Sequence, residues 1–458
     1  MHRRSDPRTW RLAALVLAAV AATAVVATAG AGAVRAVSSP ALPAQVVSIT
    51  RPASLNTYAT VDYGKKKTGT TTWRVVQGTG NCCENYLTTT KKGRLLDFGG
   101  SFINYTDDRG LTWHQVQPLT PLVNGEGTIV VNPNGDVDAI GWDPYSGDHL
   151  QAFKYDAASG TWTYAEQPLH QPFYDREWIT VLPGPFVVSG QTVPYLTFVK
   201  GGYPWKDPAF YSTDGITYAD ASSMFVDETL GTPVAGYLKT SPSSAFDWMQ
   251  PNTGSGMTPL GAGAALASGE FTTDWGLLDP SSLSWRTFTY PGGTQPQGLH
   301  QVDSKGRIDN VVPHGDRGGF DYRISADGGK TWRSVSVALP SGDTIDQIDF
   351  RANAALGVGA VAVHALQQSG NDQDYAYKFG ISTSQPVLQR RYTLGKGDTG
   401  SAAGVGNSVR MDFQSIAILP DGRLAMSFLD STTHYPSPTT GQEQTRPALA
   451  IEQTSSLR

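Results

Sequence analysis

The sequence predicts an all-β chain folded as a β-propeller of four-stranded blades, seven by count with six as the alternative. Three observations predict it. A turn phrase recurs as TDDRGLTW at 106–113 and SADGGKTW at 325–332, with a copy one residue shorter, STDGITY, at 212–218. Beneath it runs a second repeat: a polar phrase, an apolar strand, a Gly-containing step and a further strand. Helical periodicity of any length is confined to the N-terminal apolar run. Among 458 residues there are 50 Gly and 29 Pro, and 39% are hydrophobic, which suits short strands joined by turns around a core shared between repeats.

Each part of the turn phrase has a physical role. The hydroxyl of Thr106 or Ser325 and the carboxylate of Asp108 or Asp327 can accept bonds from turn N–H groups. Gly110 and Gly329 can take φ > 0 without a Cβ clash. The Thr and the aromatic that follow begin a strand, and the ring buries a large apolar face. Recurrence at blade-like spacing points to a repeat architecture. The phrase resembles the Asp-box, or BNR repeat, of the sialidase superfamily. There the box is a structural turn at the outer edge of a propeller blade, away from the catalytic pocket. The resemblance therefore implies structural roles for Asp108, Asp214 and Asp327.

The second repeat sets out the units. Hairpins are predicted at Asn134-Gly135, Lys305-Gly306 and Asp421-Gly422. Worn turn phrases stand at 155–164 (YDAASGTWTY) and 277–288 (LLDPSSLSWRTF). The closing aromatics Trp113, Trp162, Tyr218, Trp285 and Trp332 are 47 to 67 residues apart, a period that fits four-stranded blades. Blades are expected at 80–118, 124–166, 174–220, 225–291, 297–338, 345–394 and 409–453, within a propeller of 58–453. The fourth is irregular, with a Gly/Pro/Ser-rich stretch at 240–263. Segment 58–77 is expected to add the outermost strand of the last blade and close the ring, which removes exposed edges. Residues 454–458 read as a tail.

Four arginines precede an apolar run at 12–33, so residues 1–36 read as a secretory signal, with an uncleaved membrane anchor as the other reading. The protein is expected to be exported, and residues 37–57 to be a linker. No other segment approaches a membrane span. The two cysteines, Cys82 and Cys83, are neighbours. Under oxidising conditions their one intramolecular option is a strained vicinal disulfide, and free thiols are the other reading. Net charge is −5 and no basic block follows the N-terminus, so nucleic-acid binding is not expected. A monomer is expected.

In a propeller the inner strands start around the axis on one face, so polar residues before each apolar strand converge. They are Glu84, Glu126, Asp175, Arg176, Glu177, His300, Asp349, Arg351, Asp412 and Gln414. Catalytic roles are expected for Glu84, Glu126, Asp175, Glu177, Asp349 and Asp412, because crowded carboxylates shift one another's pKa values. Substrate contacts are expected from Arg176, Trp178, His300, Arg351 and Gln414. In YDREWI an acid stands beside a stacking ring, Trp178. The bland reading of each is a solvated or locally paired strand end.

The sialidase resemblance implies three arginines clamping a substrate carboxylate, a Tyr–Glu nucleophile pair and an Asp acid/base. The family's Arg-Ile-Pro phrase is absent, while Arg176, Arg351 and Arg410 stand near strand starts. The resemblance thus carries the architecture and not the catalytic signature. No zinc, haem, P-loop or Gly-x-Ser-x-Gly pattern occurs, and no cofactor is expected, with calcium on loop carboxylates left open. Two functions follow: a secreted, sialidase-like glycoside hydrolase using mouth carboxylates, or a non-catalytic propeller that binds glycans or a protein partner at the cell surface.

Overall fold

A computed structural model describes residues 40–78, 85–99, 102–117, 126–132, 134–142, 149–168, 175–188, 191–202, 209–220, 225–227, 232–233, 258–261, 264–268, 274–279, 284–289, 299–302, 307–326, 331–340, 342–367, 372–383, 385–398, 414–436 and 443–455. Every regular element among them is a β-strand. Cys82, Cys83, Glu84, Asp327, Asp412, Arg410 and the N-terminal signal lie outside the described residues.

The strands form six sheets, built from antiparallel four-stranded meanders. The first runs Asn85–Thr89, Leu95–Gly99, Phe102–Thr106, Trp113–Gln117. The second runs Glu126–Val131, Val137–Trp142, His149–Asp156, Thr161–Pro168, and the third Asp175–Val188, Gln191–Gly202, Ala209–Ser212, Tyr218–Asp220. The fourth carries Thr258–Gly261, Ala264–Ser268, Asp274–Asp279 and Ser284–Thr289, with Phe225–Asp227 added in parallel on its edge. The fifth spans Leu299–Val302 to Arg333–Ala338. The sixth joins two meanders, one opening at Thr344–Asn353 and one at Ile416–Ile418.

The first strands of the meanders lie side by side in chain order. Ile416–Ile418 then packs beside Asn85–Thr89, so these strands close a ring. This radial arrangement is that of a β-propeller.

Alternation explains the core. Each strand sends successive side chains to opposite faces, and each face meets a neighbouring sheet. Phe98, Ile103 and Tyr105 of the first sheet pack with Ile129, Val137 and Phe153 of the second. Ile140 and Leu150 pack with Ile179 and Val199 of the third. Leu87 and Leu95 turn the other way, toward Ala417, Leu419 and Leu449. Each fully buried side chain of this size contributes roughly 1.5–3 kcal/mol.

The turn at 106–113 joins the third and fourth strands of its sheet. The Thr106 hydroxyl accepts from Gly110 N at 2.8 Å and donates to Asp108 Oδ1 at 2.8 Å. That oxygen also accepts from Leu111 N (3.0 Å) and Thr112 N (2.8 Å), while Asp108 Oδ2 accepts from the Thr112 hydroxyl at 2.6 Å. Ser212 and Asp214 repeat the pattern, with Gly215 N on the Ser212 hydroxyl at 2.8 Å and Thr217 N on Asp214 Oδ1 at 2.7 Å. Gly110 and Gly215 have φ of 82° and 75°, where a Cβ would be strained. The closing rings Trp113 and Tyr218 are buried.

Burial opposes the Asp108 charge, but the bonds from Thr112, Thr106 and Leu111 outweigh it and hold its pKa below the usual carboxylate range. A depressed carboxylate contributes stability that is present above the unfolded pKa and lost as pH falls through the folded one. Asp108→Asn should therefore cost about 1 kcal/mol at neutral pH. Urea unfolding should show the gap to wild type closing as pH falls below about 4.

A five-residue hairpin recurs between first and second strands. Thr90 N bonds Arg94 O (2.9 Å), Asn132 N bonds Asp136 O (2.8 Å) and Leu419 N bonds Arg423 O (2.8 Å). The shared turn fixes the same register in each of these meanders.

The N-terminal segment differs from the expected linker at 37–57. Leu42–Pro43 pairs with the outer strand of the second sheet, and Gln45–Ile49 with that of the first. Ala53–Asp62 then bridges Val387–Asp398 and Lys67–Gln77. The physical reason is edge capping: outer strands leave unpaired N–H and C=O groups, which the passing chain satisfies. Lys67–Gln77 pairs with Glu443–Ser455 as the outer strand of the last meander, the closure expected for 58–77. The expected tail at 454–458 instead begins inside a strand, because Thr454 and Ser455 pair with Thr72 and Thr71.

Candidate functional site

Register decides which of the expected site residues stand together. In the second sheet Tyr155, where the turn begins, lies opposite Val137, and Val137 opposite Val131. Five residues farther along that second strand, Trp142 lies opposite Glu126. In the third sheet Ser212, where its turn begins, lies opposite Thr197, and Thr197 opposite Val181. Five residues farther, Gly202 lies opposite Asp175. Glu126 and Asp175 therefore occupy one height, each as the first residue of its inner strand, and the two strands are neighbours. Both stand at the strand ends away from the turn phrases.

Close packing demands a small residue just after Glu126. The next residue, Gly127, leaves room for the Phe98 ring of the first sheet: a Cβ there would lie 2.2 Å from Phe98 Cζ. At Asp175 the pairing slips between Asp175 and Glu177, leaving Arg176 as the extra residue of a bulge. Such bulges re-aim side chains and are enriched beside active sites. Glu177, opposite Gly201, and Trp178, opposite Lys200, stand one and two steps below Asp175.

Other expected members stand elsewhere. His300 lies opposite Asn310, only two residues from the turn level of its strand at Val302. Asp349 is the sixth residue of Thr344–Asn353, not its first, and is fully buried. Its Oδ1 accepts from Arg351 Nη1 at 3.0 Å and its Oδ2 from Ile416 N at 2.8 Å, so it ties one inner strand to the next. Gln414 is buried too and donates to Asp374 Oδ1, which His364 Nδ1 approaches to 2.9 Å. Inner-strand side chains alternate between the two neighbouring sheets, which takes Asp349 out of contact with solvent, while Gln414 lies two residues before the strand Ile416–Ile418.

Burial drives the Asp349 carboxyl upward and outweighs the Arg351 charge and the backbone bonds, leaving its pKa at about 6. A carboxyl raised in the folded state contributes stability that is complete below the unfolded value and lost as pH rises through the folded one. The advantage of wild type over Asp349→Asn should therefore shrink between about pH 4 and 6, by up to about 1.4 kcal/mol per pH unit. Urea titrations across that window check it.

His314, Asp321 and Ser336 supply the residue types of a hydrolytic triad without its geometry. Asp321 Oδ1 and the Ser336 hydroxyl both face Nε2 of His314, at 3.1 and 3.2 Å. A triad needs the acid and the hydroxyl on opposite ring nitrogens. Among the described residues no group of three or more His, Cys, Asp or Glu is arranged to hold a metal ion.

No protein-family model matches the sequence, and no curated protein matches it. Solved structures match at low identity. The phage phi92 endosialidase is 10% identical over 84% of this chain and 71% of its own, with a TM-score of 0.39. The Penicillium chrysogenum alpha-L-arabinanase complexed with arabinobiose is 10% identical over 72% and 93%, with a TM-score of 0.29. A chain of the Mitotic Checkpoint Complex is 11% identical over 83% and 91%, with a TM-score of 0.41. Likeness at this level says nothing of what this chain acts on.

Proposed function

We propose that the protein is an exported glycoside hydrolase, a seven-bladed propeller of the sialidase-like type, with Glu126 and Asp175 as its acid and base or nucleophile. The observation that carries the reading is their shared height at the starts of adjacent inner strands. Glycoside hydrolysis needs two carboxyl groups across the scissile bond, one protonated and one charged. Two carboxylates brought together in one pocket would push one another's pKa values apart and meet that need. The turns at 106–113 and 212–218 have the hydroxyl–Asp–Gly chemistry of an Asp-box and stand at the opposite ends of their strands, in keeping with a structural role.

The blade number rests on the ring of first strands, from Asn85–Thr89 round to Ile416–Ile418. Arg176 and Trp178, beside Asp175 in one strand, are assigned to substrate contacts, the cation for an anionic group and the ring for stacking. Export rests on the basic and apolar N-terminal segment. Among the described residues no helix is long and apolar enough to cross a membrane.

The full mature chain should be incubated with a panel of oligosaccharides, anionic and neutral, and new reducing ends measured. Cleavage of one class, lost in Glu126→Gln, supports the proposal. Binding without cleavage across the panel replaces it with the glycan-binding reading.

A further inference from the structure

We infer that Asp346 is a third carboxylate of the mouth and that it selects an amino sugar there. The choice of a sugar rests on the glycan-directed reading, whereas the place of Asp346 and its preference for a cation come from register and hydrogen bonding.

Bonds between neighbouring inner strands give its height. The hairpins that begin at Thr90, Asn132 and Leu419 are alike, so Leu87, Ile129 and Ile416, each three residues before, are equivalent. Asp349 Oδ2 accepts from Ile416 N at 2.8 Å, and the Ser415 hydroxyl accepts from Leu87 N at 3.0 Å. Asp349 and Ser415 therefore hold matching places, and the residue that matches Ser415 in the second sheet is Thr128. Two residues earlier stand Glu126 in the one strand and Gln347 in the other. Asp346 is the extra residue of a bulge between Ile345 and Gln347, one step nearer the start of its strand. Bulges of this kind re-aim a side chain and are enriched beside active sites. Round the ring, the strand of Asp346 is three places from that of Asp175 one way and three from that of Glu126 the other. Asp346 thus stands across the ring from the proposed pair.

Other carboxylates of this meander have their donors. Asp343 Oδ2 accepts from the Tyr375 hydroxyl at 2.6 Å, and Asp349 accepts from Arg351 and Ile416. Asp374 accepts from Gln414 and is met by His364. Asp346 has no hydrogen bond and no ion pair among the described residues. It is half-buried between two buried neighbours, Ile345 and Gln347. A carboxylate drawn partly out of water without a donor gains most from a charged one. A sugar hydroxyl offers it a hydrogen bond, an ammonium group offers the bond and the charge, and an anion is repelled. An amino sugar carries the ammonium on a hydroxyl-rich ring, so it can meet Asp346 on one side and the acid pair on the other.

The test is equilibrium binding to the full mature chain carrying E126Q and D175N, so that no probe is turned over. The probes are a chitosan hexamer, its fully acetylated counterpart and an oligogalacturonate, in a buffer that keeps the amines charged. The chitosan hexamer should bind tightest, more weakly as salt rises. Adding D346N should cut its advantage over the acetylated hexamer at least about tenfold. Asp346 holds no described group in place, so D346N should leave the urea midpoint where it was. An unchanged preference in D346N overturns the inference, as does tighter binding of the oligogalacturonate or no binding of the chitosan hexamer. A lowered midpoint overturns it too, since Asp346 would then be holding the fold. None of these results depends on whether Glu126 and Asp175 cleave a substrate, so failure here and failure of the proposed hydrolysis are told apart.

Discussion

Glu126→Gln and Asp175→Asn should each cut turnover on a cleaved glycan by about 10²–10⁴-fold, the usual contribution of a positioned acid or base. That corresponds to roughly 3–5 kcal/mol of barrier. The amides keep size and polarity but can neither carry the charge nor deliver the proton. Each residue is the first of its strand, so the ladders below it, Gly127 against Gly141 and Glu177 against Gly201, remain paired. Far-ultraviolet circular dichroism and the urea midpoint should therefore be unchanged. Glu177→Gln should lose less, because its strand position is one step lower and on the other side of the bulge. Turnover on the best substrate decides it: a retained rate in both amide variants removes the pair from the chemistry.

Arg51→Met should destabilise the fold by about 3–5 kcal/mol, the cost of breaking a buried pair by removing one partner. Arg51 belongs to the segment between the first edge strands and the ring-closing hairpin. Its Nη1 donates to Asp97 Oδ2 at 2.8 Å, and the two side chains are 2% and 1% exposed. Its Nε donates to Gln77 O at 2.8 Å, and its guanidinium lies 4.1 Å over the Trp113 ring. One side chain thus joins the last strand added to the ring, Lys67–Gln77, to the first sheet. Methionine fills much of the volume but leaves the Asp97 carboxylate buried without its cation. Arg51→Met/Asp97→Leu should recover much of the loss, since the uncompensated charge is gone. Urea midpoints of the two single variants and the double one measure the coupling.

Much of the architecture was legible because its signals are local and repeated. A hydroxyl, an Asp and a Gly in fixed order specify a turn by bonds within a few residues, as the Thr106 and Ser212 turns show. Closure by 58–77 was legible because a meander ending in an unpaired strand needs a partner. The edge strands at 42–49 were not legible. They are short, and the alternating exposed and half-buried pattern of Gln45–Ile49 carries little hydrophobic signal. Their pairing depends on where the chain passes, which no local pattern encodes.

The strand positions of the candidate residues were legible only in part. Asp175 and Glu126 are the first described residues of their strands. DFRAN looked like another opening, but its strand starts at Thr344, so Asp349 falls within the packed layer. Height along a strand is set by cross-strand register and by bulges such as that at Asp175, both of which are long-range properties.

The most direct measurement is the separation of the Glu126 and Asp175 carboxyl groups in an experimental structure of the mature protein with a bound oligosaccharide. Two carboxyl groups should face one axial pocket across the scissile bond, about 5–5.5 Å apart for a retaining mechanism or about 6.5–9.5 Å for an inverting one. A separation beyond about 10 Å, or side chains turned into different sheet interfaces, would contradict it.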